Sequence, residues 1–103
     1  MKKIFTFLLL ICCMAGFSQS TTLVISQVYG AGGNSGAVLN ADYVEIHNIS
    51  ATPQSLNGLS VQYESATPAG QWSGAAVLPN VSIPAGGYYL VQMSTPGSNG
   101  VPL

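Results

Sequence analysis

The stretch Asp42-Tyr43-Val44-Glu45-Ile46-His47-Asn48 sets Val44 and Ile46 on one side and Tyr43, Glu45 and His47 on the other. Side chains of an extended chain point alternately to its two faces, so a period of two marks a half-buried strand. The same reading extends outward in both directions. Leu23 to Tyr29 is rich in β-branched residues and ends at a glycine cluster. Leu59-Ser60-Val61-Gln62-Tyr63 alternates again, pointing Leu59, Val61 and Tyr63 one way. Val81-Ser82-Ile83 is short and closed by Pro84-Ala85-Gly86-Gly87, and Tyr88 to Met93 is the last clear strand. Gln71 to Val77, around Trp72, makes a weaker one. Ser50 to Ser55 and Thr95 to Gly100 carry turn and loop residues. Past residue 18 no window has helical spacing. Short strands with frequent turns predict an all-β sandwich or barrel.

The first 18 residues are of a different kind. Lys2 and Lys3 precede a nearly unbroken apolar run, Ile4 to Ala15, and small residues follow. A positive start, a short apolar run and a small-residue site make a helical secretory signal peptide, cleaved between Ser18 and Gln19. A membrane-spanning helix needs about 20 apolar residues, and this run is shorter. The cysteines Cys12 and Cys13 do not make a lipoprotein signal, because Ile11 stands where a small residue is needed. The expected destination is outside the cell or on its surface.

Cleavage removes 18 of 103 residues and leaves 85, enough for one small core. The predicted organisation is signal peptide 1–18, a short segment 19–22, a β domain 23–93 and a terminal loop 94–103. Disorder is expected only toward the C-terminus, since glycine and proline elsewhere punctuate apolar strands.

Cleavage also removes both lysines and both cysteines, and the chain has no arginine. The formal charge of −1 becomes −3, carried by Asp42, Glu45 and Glu64. Nucleic-acid binding depends on cations that neutralise phosphates, and so does adhesion to anionic membranes. Neither partner is expected, and no disulfide can form.

At these strands the sequence resembles the lamin-tail domain of exported bacterial proteins. The matching stretches are Val24 to Gly30 with the loop Ala31 to Gly36, Asp42 to Asn48, Leu56 to Tyr63, and Ile83 to Gln92. The resemblance implies an immunoglobulin-like β-sandwich. It also implies an accessory role, since bacterial relatives accompany hydrolase domains or surface-sorting tails. Leu59 stands where the family often has tryptophan. The family pattern continues beyond Leu103, so the sandwich is expected to be incomplete, part of a larger protein. An incomplete sandwich has unpaired backbone at an edge and an uncovered apolar face. The chain alone is then marginally stable or pairs its edges in a dimer.

Candidate sites are few. Gly30-Ala31-Gly32-Gly33-Asn34-Ser35-Gly36 follows a strand, but Ser35 replaces the third glycine of a phosphate loop and no helix follows. A flexible strand connection is expected. Glu45 and His47 share a strand face, yet one histidine and three carboxylates fall short of a zinc site or an acid–base pair. They are read as solvent-facing, and no catalytic residue, metal or cofactor is predicted. Asn48 is read as holding the turn after its strand. It also opens the glycosylation sequon Asn48-Ile49-Ser50, taken as accidental. The one set with binding potential is Trp72 with Tyr63, Tyr88 and Tyr89, of which Trp72, Tyr88 and Tyr89 are the expected contact residues. The adjacent Tyr88 and Tyr89 must face opposite ways, one inward and one outward. An outward tyrosine near Trp72 could stack on a sugar or on a partner side chain, whereas a core Trp72 is the competing reading. The expected partners are a protein or a neighbouring domain, with a glycan as the alternative.

Overall fold

A computed structural model of the chain describes residues 19–64 and 74–103, and all regular structure among them is strand. The seven strands are β1 (Leu23–Tyr29), β2 (Tyr43–Asn48), β3 (Gln54–Ser55), β4 (Ser60–Tyr63), β5 (Gly74–Val77), β6 (Ser82–Ile83) and β7 (Tyr88–Gln92). The stretch that opened the sequence reading is β2, at the centre of an antiparallel sheet ordered β1-β2-β7. Expected signal residues 1–18 lie outside the described residues, as do Gln71 to Ser73 of the weak strand.

The second layer is formally two small sheets, β3 with β6 and β4 with β5. A single register relates them. Gln54 faces Ile83, Ser60 faces Val77 and Tyr63 faces Gly74. Between the strands, the Leu56 N–H donates to the Val81 carbonyl at 2.8 Å and the Leu78 N–H to the Leu59 carbonyl at 3.0 Å. The layer is therefore one two-stranded ribbon with a local interruption. Two residues cause it: Gly58 turns at a φ of 79°, and Pro79 opposite has no N–H to give.

The layers meet through Ile46 and Val91 of the sheet and Leu56, Leu78 and Ile83 of the ribbon. Leu23, Val61, Ala76, Tyr89 and Met93 pack around this cluster. This is a small β-sandwich core, and Ile46 lies in it on the face that alternation marked on β2.

β1 departs from alternation. Gln27 pairs with Glu45, and the register shifts between Ile25 and Gln27. One extra residue in a strand makes a bulge and reverses the face of everything beyond it. Ile25 pairs with Ile46 and Val28 with Val44, so both belong to the core face although three positions separate them. Tyr29 is carried to the outer face and stacks on Tyr43, ring centroids 5.5 Å apart. Tyr43, expected to face solvent, is consequently buried.

The segment after β7 is not loose. The Gly97 N–H donates to the Asn40 carbonyl, the Asn40 N–H to Val101, and the Val101 N–H to Val38. Asn99 reaches the Gly33 carbonyl through its side-chain amide at 3.1 Å. The glycine loop is packed against this segment rather than free. A Cβ on Gly97 would lie 2.7 Å from the Gly33 Cα, so the two backbones approach as only glycines permit.

Candidate functional site

The ionisable groups are employed locally. Asp42 accepts the Gly32 N–H at 2.7 Å, while its own N–H donates to the Ser94 hydroxyl at 2.8 Å. Glu45 accepts the Ser26 hydroxyl at 2.8 Å, which ties the bulge to the central strand. His47 is half-buried and stacks on Tyr88, centroids 4.1 Å apart and planes 8° from parallel. Among the described residues no three His, Cys, Asp or Glu gather closely enough to hold a metal. The phosphate-loop geometry is absent for a positive reason. The Gly33 and Asn34 N–H groups donate to the Leu39 and Ala31 carbonyls, and the Gly32 N–H is held by a carboxylate.

Asn48 is fully buried and completely satisfied. Its amide nitrogen donates to the carbonyls of Thr52 (2.8 Å), Ile83 (3.0 Å) and Pro84 (3.1 Å). Its carbonyl accepts from the Ser50 N–H (3.0 Å) and hydroxyl (2.7 Å). The Asn48 N–H donates to Gly87 at 2.9 Å. The residue thus holds the turn after β2, as read from sequence, and also joins that turn to the end of β6 across the sandwich. With 0% of its surface exposed, its amide is closed to glycosylation once the domain has folded.

Of the candidate contact residues, Tyr88 points outward and Tyr89 packs against the core. Opposite orientation follows from the alternation of β7, and Tyr89 is therefore removed from any exposed platform. Trp72 lies outside the described residues, as does Ser18, and Gln19 is exposed.

The sequence leads one to expect an unpaired edge and an uncovered apolar face without saying which strand carries them; in the structure that surface runs along β1. Among the described residues this strand is an edge of its sheet. Ile25 and Val28, both on the core face, are 60% and 66% exposed. Two apolar grooves flank them. One of about 250 Å³ runs from Leu23 and Ile25 to Leu59 and Val61 of the ribbon. The other, about 240 Å³, lies between Val28, Tyr43, Tyr63 and Met93. Leu59, where the resemblance leads one to expect tryptophan, lines the first groove and leaves it open. A signal for this surface was present in sequence: the polar pair Ser26-Gln27 between Ile25 and Val28 breaks alternation as a bulge does.

A family model for the lamin tail domain matches residues 17–101. The match starts before β1 and includes the segment after β7, which the hydrogen bonds above make part of the domain. No curated protein and no solved structure matches the chain. The family consists of structural, non-catalytic modules with an immunoglobulin-like fold, in keeping with the all-strand arrangement here. The chain belongs to the lamin tail domain family.

Proposed function

We propose that this domain is an exported interaction module, without catalysis of its own, that positions or tethers a neighbouring domain of a secreted or surface protein. The observation that carries this reading is the open edge of β1, where apolar core-face side chains stand exposed beside two apolar grooves. Exposed apolar surface of this kind marks interaction sites, and a free strand edge adds backbone groups that can pair. Export is supported by the lysine start and apolar run of the first 18 residues. A chain so poor in charge offers a partner apolar surface and backbone hydrogen bonds, not ion pairs.

The test is to fuse a reporter domain after Leu103 and follow it in the cells of origin. Expected is a product that begins at Gln19 by intact mass and holds its reporter at the envelope. A product that keeps residues 1–18 and stays in the cytosol overturns export, and a reporter released freely into the medium overturns tethering.

One observation favours a glycan as the second reading. Tyr88 is 59% exposed, and its ring is held flat against His47, a geometry suited to stacking on a sugar face. Isothermal titration with soluble polysaccharides decides it: heat lost in Tyr88→Ala supports stacking, and no heat with the unaltered chain excludes it.

A further inference from the structure

The edge of β1, unpaired among the described residues, has a pattern that fits a copy of itself. The strand bears no charge and no proline, so it lacks the common devices that keep edges apart. Its nearest carboxylate, Glu45, is engaged by Ser26 on the outer face. What distinguishes the strand is its spacing. The bulge places Ile25 and Val28 on one face with two outer-face residues, Ser26 and Gln27, between them.

Residues directly opposed across a strand pair share a face. Antiparallel pairing of β1 with a second β1, with the two-fold axis between Ser26 and Gln27, opposes Ile25 with Val28 of the other copy and Val28 with its Ile25. Val24 then meets Tyr29, both on the outer face, and Ser26 meets Gln27. Every pair matches in face. No further residue has to be skipped or inserted, because each copy brings the same offset. The two-fold also sets the Ile25 groove of one copy beside the Val28 groove of the other. Four exposed aliphatic side chains thereby pack side by side as one apolar strip between the two ribbons.

We propose that the domain self-associates through β1 in this register, forming a continuous six-stranded sheet. The inference rests on the reading of the β1 edge as the interaction surface and names its occupant as a second copy of this chain. An isologous contact of this kind closes as a dimer and does not propagate.

The experiment is sedimentation equilibrium on the chain recovered from an exporting host, over a wide range of concentration. Expected is a monomer–dimer equilibrium that weakens at least about tenfold in Ile25→Lys and in Val28→Lys, because each sets an ammonium against the apolar side chain opposite it at the joined edge. Val77→Lys, at an 83% exposed ribbon position facing away from the core, leaves it unchanged. Mixing Ile25→Cys with Val28→Cys chains is expected to give an oxidised heterodimer bridged between positions 25 and 28, identified by peptide mass. Monomers at every concentration overturn the proposal, as does a dimer that tolerates both lysines. A bridge found only between like positions overturns the register. A monomer whose reporter fusion still stays at the envelope refutes self-association and leaves the tethering role standing.

Discussion

The two sides of β2 are finished differently. At its end, Asn48 is buried and gathers three carbonyls and a serine, and Ile46 beside it is sealed by Leu56 and Ile83. Alongside it, β1 supplies Ile25 and Val28, equally apolar and on the same face, and both remain exposed. Apolar character therefore does not decide burial here. The ribbon crosses above Ile46 and reaches β1 only at its margins, leaving grooves where its side chains fall short. The closed region is held by backbone segments brought together through one amide, and the open region is what those segments do not cover.

The contrast is broken most severely at Asn48. Asn48→Leu leaves the carbonyls of Thr52, Ile83 and Pro84 without their donor, that of Ile83 in a buried bond and the other two in part-buried ones, and each buried loss costs about 1–3 kcal/mol. A loss of about 4 kcal/mol, or failure to fold, is expected in urea unfolding. A loss below about 1 kcal/mol would show that the turn and β6 are joined by something else. Leu56→Ala comes next. It empties a fully buried site and is expected to lower stability by about 3 kcal/mol, measured the same way. Gly97→Ala tests whether the terminal segment is integral. Its methyl group would strike the Gly33 backbone, which has no flexible end to yield, and a cost of about 2 kcal/mol is expected. Thermal melting with no shift would mean that the segment detaches without consequence.

The open region is predicted to respond weakly or in the opposite sense. Leu59→Trp adds apolar surface over the first groove and is expected to raise stability by about 1 kcal/mol. A destabilised variant would mean that the groove cannot accept a larger side chain. Ile25→Ala, studied at concentrations too low for association, is expected to change stability by less than about 0.5 kcal/mol, since the side chain is largely in water already. A loss comparable to that of Leu56→Ala would erase the distinction between the two regions.

Much of this was legible in the chain. Alternation in β2 marks Val44 and Ile46 as one face, and in β7 it requires Tyr88 and Tyr89 to point opposite ways, while which of the two is inward comes from the structure. The side-chain reach of Asn48 to the following turn was foreseen, but its bonds to Ile83 and Pro84 join residues 35 and 36 positions away. The bulge was overlooked because β1, full of β-branched residues, reads as a strand in either register. The glycine loop reads as flexible in sequence because glycine is freest when nothing is near it. Gly97, which lies against Gly33, comes more than sixty residues later.

The sequence by itself determined the strand character of the domain, its kinship, and its lack of cations, because each is written in neighbouring residues or in bare composition. Tertiary structure alone decided which apolar side chains are covered, which glycines touch, and where an edge is left free. Periodicity tells a side chain which way to point, but burial depends on what arrives opposite it, and that comes from distant parts of the chain.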